Sequence, residues 1–88
     1  MNGITELGEV RKFARENGYI LAMYTRNNDG NYDLTSDEDP EEVKDSVVVR
    51  FDRVGEAKDF KEVETLDRKF VFRLHNNYNV PKVVPRIR

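Results

Sequence analysis

Residues 46–54 read SVVVRFDRV, and this stretch decides the fold class because its apolar residues alternate. Val47, Val49 and Phe51 would line one face of a strand, while the residues between them would line the other. Gly55 follows, as is typical at the end of a strand. The stretch therefore predicts a β-strand with one buried face.

A hairpin is predicted upstream of this strand. Residues 19–25 are apolar and aromatic over the length of a strand, and residues 27–31 read NNDGN. Asn, Asp and Gly tolerate positive φ, so this run is typical of a turn. Residues 32–34 would return as a short second strand.

Two further strands are predicted downstream. Residues 69–74 alternate, with Phe70, Phe72 and Leu74 on one face, and we interpret this face as part of the core beneath a helix. Residues 80–87 predict a last strand, but the two prolines within it lack a backbone N–H. They confine it to a sheet edge or a tail.

The N-terminal region predicts one helix over residues 5–16. Thr5 is the expected N-cap, and Asn17-Gly18 is the expected stop. The apolar stripe of this helix has spacings of three and four and consists of Ile4, Leu7, Val10 and Ala14.

The elements together predict a single α+β domain over residues 1–88. An N-terminal helix would pack on a small, mostly antiparallel sheet of four to five strands. An acidic loop is expected at about residues 35–45, and a basic C-terminal segment at about residues 68–88. Residues 56–67 fit a helix or a strand equally well, so both assignments stay open.

Composition argues against an enzyme. The chain has 88 residues, no Cys and one His, so it offers no thiolate nucleophile, no disulfide and no Cys-ligated metal. No other residue lies at a metal-ligand spacing from His75, and two Asn follow it, which favours a solvated turn residue. We therefore expect no catalytic residue, no metal and no cofactor.

The sequence carries no pattern that predicts a membrane protein. Residues 1–10 lack the apolar core of a signal peptide, and no stretch approaches the ~18 apolar residues of a membrane span. We expect a soluble, cytoplasmic protein with no membrane partner.

Charge is distributed unevenly along the chain. The whole chain has 15 basic and 17 acidic side chains, for a net charge of −2. Residues 29–45, here called the acidic segment, hold eight acids and one Lys. Residues 68–88, here called the basic segment, hold six bases and no acid. Such poles steer charged partners toward a surface.

The first functional hypothesis is a non-catalytic interaction protein whose acidic segment binds a basic protein surface. Spaced carboxylates can imitate a phosphate backbone, so an inhibitor of a nucleic-acid-binding protein fits the pattern. Two apolar side chains would supply the buried contact and six acids the attraction: Tyr32, Leu34, Asp33, Asp37, Glu38, Asp39, Glu41 and Glu42.

The alternative hypothesis is a domain that binds single-stranded RNA or DNA through the basic segment. Bases would hold phosphates while an aromatic ring stacks on a nucleobase. The candidate residues are Arg68, Lys69, Phe72, Arg73, Tyr78, Lys82, Arg86 and Arg88. A third hypothesis is a homodimer in which the two segments pair between protomers.

Overall fold

The computed structural model of the chain describes residues 2–38 and 40–85, and within them the fold is α+β. The described residues form one sheet of seven strands in the order β1-β4-β5-β6-β2-β3-β7, and every neighbouring pair is antiparallel. The elements are β1 (Asn2–Glu6), α1 (Leu7–Asn17), β2 (Ile20–Arg26), β3 (Tyr32–Ser36), β4 (Val48–Val54), β5 (Ala57–Thr65), β6 (Phe70–His75) and β7 (Val83–Val84).

The predicted class, a helix on an antiparallel sheet, is confirmed, but the sheet has more strands than the expected four to five. One added strand is β1, which we had assigned in part to the helix. It pairs with β4 from Asn2, opposite Asp52, to Glu6, opposite Val48. Gly3 permits this pairing because a Cβ there would lie 2.3 Å from Cζ of Phe51.

The helix begins later than predicted. Glu6, not Thr5, occupies the N-cap position, and its side chain makes no capping hydrogen bond. The strand therefore passes into the helix without a loop. The predicted stop is confirmed: Gly18 adopts the left-handed conformation at φ 68°, and its N–H donates to the carbonyl of Ala14.

Strand β5 resolves the ambiguity of residues 56–67. A bulge interrupts its pairing with β4, because Phe51 lies opposite Val63 whereas the next residue, Asp52, lies opposite Asp59. An interruption of this kind breaks the two-residue alternation on which sequence-based strand assignment depends.

The main core lies between the helix and the sheet. The helix contributes Leu7, Val10 and Ala14, and the central strands contribute the remaining side chains. On β6, Phe72 and Leu74 are buried and Phe70 is half-buried against them, so the predicted inward face is confirmed. The strand residues of this core are Leu21, Met23, Val49, Phe51, Val63, Phe72 and Leu74.

A second, smaller core occupies the other face of strands β6, β2 and β3. Residues that alternate with the main core form it: Ala22, Tyr24, Tyr32, Val71 and Val84. Residues 76–85, here called the C-terminal segment, cover this face, since Val80 packs on the cluster and β7 pairs with β3 at the sheet edge. An edge position for the last strand is as the prolines predicted. No helix in residues 2–38 and 40–85 is long and apolar enough to cross a membrane.

Candidate functional site

The acidic segment is anchored to the helix by a buried arginine. Arg11 is 8% exposed. Its Nη1 donates to Oδ1 of Asp45 at 2.7 Å, and its Nη2 donates to the carbonyl oxygen of Pro40 at 2.8 Å. The two bonds fix both ends of the stretch from Pro40 to Asp45, because a guanidinium presents its donors in a rigid fork.

Backbone contacts strengthen this anchor. The N–H of Leu7 donates to the carbonyl of Val47 at 2.8 Å, and the N–H of Gly8 donates to the carbonyl of Asp45 at 3.0 Å. Val43, within the anchored stretch, packs on the main core. The first turn of the helix thus finds hydrogen-bond acceptors at the end of the acidic segment and just beyond it.

Four carboxylates of the acidic segment point outward, and two of them, Glu41 and Glu42, lie in the anchored stretch. Asp37, Glu38, Glu41 and Glu42 are exposed, and no ion pair among residues 2–38 and 40–85 involves any of them. Their charge is therefore available to a partner. Asp33, also exposed, lies on β3 and accepts a hydrogen bond from Asn27 at 3.0 Å. Asp39, the sixth predicted acid, falls outside the described residues.

A groove of about 380 Å³ adjoins residues 37 and 38, in the middle of the acidic segment. A short turn sets one wall, because the hydroxyl of Ser36 donates to the carbonyl of Glu38 and accepts from its N–H. Tyr78 forms part of the lining although it is 94% exposed. The groove, here called the tyrosine groove, is lined by Tyr19, Ile20, Leu21, Asp37, Glu38, Tyr78 and Val80.

The burial of Tyr32 removes one residue from the binding surface that was predicted for the acidic segment. Tyr32 is 2% exposed and belongs to the second core, with its hydroxyl 3.4 Å from Oε2 of Glu64. Its ring is not available to a partner, because this side of β3 packs in the second core. Leu34 is half-buried against the same cluster and presents only part of its side chain.

The basic segment is less available than its sequence predicted. Phe72 is fully buried, so it cannot stack on a nucleobase. Arg73 is bound to Glu62, with Nε 2.7 Å from Oε2. The other described candidates are exposed and lie in turns or in the C-terminal segment, whereas Arg86 and Arg88 fall outside the described residues; the exposed ones are Arg68, Lys69, Tyr78 and Lys82.

The single histidine is not the solvated turn residue that we expected. His75 is half-buried, and its Nε2 lies 3.1 Å from the hydroxyl of Tyr24. That hydroxyl donates to the carbonyl of Pro81 at 2.8 Å. Burial, and then the charge of Arg73, lower the pKa of His75. The described residues contain no group of three His, Asp or Glu side chains that could hold a metal ion.

The sheet face that carries the second core also carries two ion pairs. Arg50 contacts Glu64 at 3.5 Å, next to the pair of Arg73 and Glu62 on the same face. Burial raises the pKa of Glu62 and the charge of Arg73 opposes this effect, while nearby acids add to it. Both Arg50 and Arg73 are in ion pairs within the protein, so this face offers fewer unpaired charges than the acidic segment does.

The sequence predicts neither the anchor nor the groove: it indicates no partner for Arg11, and residue 19 is only the start of a predicted strand. No local pattern indicates either role, because the partners are distant in sequence: Arg11 binds residues 29 and 34 positions away.

A scan against protein-family models finds no match for this chain, and neither do searches of the curated proteins and the solved structures.

Proposed function

We propose that this is a non-catalytic interaction protein that binds a basic protein surface through its acidic segment. One observation supports it most: the acidic segment presents four exposed carboxylates, and two of them, Glu41 and Glu42, lie on the stretch between Pro40 and Asp45 that the buried Arg11 holds at both ends. A basic partner would meet charges that are already placed and that are not committed to ion pairs in the described residues.

The anchor matters energetically because ordering a loop during binding costs free energy. A segment that is fixed before the encounter avoids much of this cost. The carboxylates would mainly raise the association rate, since long-range attraction steers the encounter of oppositely charged surfaces. Lifetime of the complex would depend on apolar contacts near the acids.

Proteins that bind nucleic acids are the class of partner we favour. Their binding surfaces carry arrays of Lys and Arg matched to phosphates. Carboxylates spaced along the acidic segment would compete for those arrays, so the protein would act as an inhibitor.

The test is affinity capture from an extract of the source cells, with and without nuclease treatment. Two triple variants accompany the natural protein. Asp33→Asn/Glu41→Gln/Glu42→Gln neutralises acids of the segment but leaves the tyrosine groove intact. Glu16→Gln/Asp52→Asn/Glu56→Gln makes the same change in charge at exposed sites elsewhere.

We expect the natural protein and the control variant to capture a basic protein whether or not nuclease is added. The segment variant should lose it. Equal capture by both variants would contradict the proposal, and capture that disappears with nuclease would favour the nucleic-acid hypothesis.

Direct nucleic-acid binding has less support. Of the candidate residues for this hypothesis, Phe72 is buried and Arg73 is in an ion pair. Tyr78 remains as an exposed aromatic side chain. Fluorescence anisotropy with a pool of single-stranded oligonucleotides at low salt tests it directly, and binding weakened by salt would restore this hypothesis.

A further inference from the structure

We infer that the tyrosine groove binds one arginine side chain of the basic partner. This inference deepens the proposed function and rests on it. It adds the position and the chemistry of the contact: a cationic planar group held against the tyrosine side chains and the two carboxylates, Asp37 and Glu38, that line the groove.

The lining of the groove has the two parts that an arginine needs. Ile20, Leu21 and Val80 are apolar, and they would cover the methylene groups of the side chain. Asp37 and Glu38 supply the opposite charge. The described residues that line the groove include no Lys, Arg or His, so a cation would meet no repulsion from the lining.

Aromatic side chains give the groove its selectivity for a cation. Tyr78 is 94% exposed, the most exposed of the large hydrophobic side chains in the described residues. Tyr19 also lines the groove, and its ring stacks on Phe13 with the ring centroids 5.9 Å apart. A tyrosine ring face attracts a cation, and it does so most effectively for a guanidinium, which also stacks.

Arginine fits the carboxylates better than lysine does. A guanidinium can donate two parallel hydrogen bonds to one carboxylate, whereas an ammonium acts as a point charge. The turn made by Ser36 holds the backbone at Glu38, from which one carboxylate extends toward the groove. A volume of about 380 Å³ suits a single side chain with its solvent, because small-molecule sites begin at ~300 Å³.

The experiment is a titration of the isotope-labelled protein followed by backbone amide NMR. The probes are N-acetylarginine amide, N-acetyllysine amide and N-acetylcitrulline amide. Citrulline keeps the planar shape of arginine but has no charge. We expect arginine to shift the amides of Leu21, Glu38 and Val80 with millimolar affinity, at least ~10-fold tighter than citrulline and tighter than lysine.

Variants connect those shifts to the groove. Tyr78→Ala and Glu38→Gln should each weaken arginine binding several-fold, and Tyr78→Phe should retain it because the ring face stays. Glu16→Gln removes the same charge from an exposed site and should leave binding unchanged. Absence of shifts, equal shifts with citrulline or lysine, or equal binding by the Glu38 and Glu16 variants would overturn the inference.

Failure of this inference can be told apart from failure of the proposed function. If N-acetylarginine amide does not bind the groove but the segment variant still loses its basic partner, only the groove assignment is wrong. If the segment variant keeps its partner, the acidic segment itself is not the binding surface, whatever the groove binds.

Discussion

The acidic and basic segments carry opposite charges of similar size in the sequence, but the structure takes only the basic segment through a strand of the core. Residues 37–38 and 40–42 of the acidic segment lie between β3 and β4, and the carboxylates among them are exposed. The basic segment runs through β6, where alternate side chains enter a core and Arg73 is bound to Glu62. Charge becomes a binding surface only where the backbone leaves the side chains outward and unpaired.

The largest test of this comparison is Phe72→Ala. The ring is fully buried in the main core, so its removal should lower the free energy of unfolding by about 3–5 kcal/mol. Urea denaturation followed by circular dichroism measures the loss. Tyr78→Ala, at a largely exposed ring of the same segment, should change stability by less than about 0.5 kcal/mol. Similar losses in both variants would contradict the assignment of Phe72 to the core.

The next test removes the anchor of the acidic segment. Arg11→Met should cost about 2 kcal/mol, because the buried carbonyl of Pro40 loses a charged donor and Asp45 loses its partner. Amide hydrogen exchange should accelerate over residues 41–46. Arg15→Met, on the exposed side of the helix, is the matched control and should leave both measurements unchanged. Unaltered exchange in the Arg11 variant would mean that the segment is held by other contacts.

A smaller effect is expected where the C-terminal segment meets the second core. Tyr24→Phe deletes the hydroxyl that donates to Pro81 and contacts His75. We expect a loss of about 1 kcal/mol in thermal or urea unfolding. Tyr78→Phe removes an exposed hydroxyl and should cost nothing measurable. If the two variants unfold alike, the Tyr24 hydrogen bonds do not hold the segment.

The smallest effect is a pH dependence at Glu62. Burial raises the pKa of Glu62, so the folded protein holds this proton more readily than the unfolded chain does. Ionised Glu62 therefore costs stability above its folded pKa, and this cost disappears as the pH falls toward the unfolded value. Glu62→Gln should be more favourable relative to the natural protein at pH 7 than at pH 4, by less than about 1 kcal/mol.

Urea unfolding at both pH values measures this difference, with Glu56→Gln as an exposed control. The control should show no such trend. If Glu62→Gln is instead less favourable at pH 7 than at pH 4, Arg73 outweighs burial at this carboxyl, and a difference that does not change with pH would show that the two effects cancel.

Much of the fold could be predicted because its signals are local. The alternation of residues 46–54, the glycine stop of the helix and the turn at residues 27–31 each report the structure of their own neighbourhood. Strand β1 could not be found in this way, since Ile4 has helical spacing to the residues after it but is 63% exposed on the sheet.

The same distinction between local and long-range signals applies to the candidate site. Exposure of the acids followed from a polar run between strands. The tyrosine groove did not, because it needs the start of β2, the end of β3 and the C-terminal segment to meet. Tyr32 was assigned to the surface because a short strand of mixed polarity does not reveal which of its faces turns inward.

The most direct measurement is stopped-flow association with the captured basic protein at several salt concentrations. We expect Asp33→Asn/Glu41→Gln/Glu42→Gln to lower the on-rate at low salt by about tenfold and to flatten its salt dependence, because steering depends on these charges. The control Glu16→Gln/Asp52→Asn/Glu56→Gln should keep the natural rate. An on-rate equally unchanged in both variants would contradict a binding role for the acidic segment.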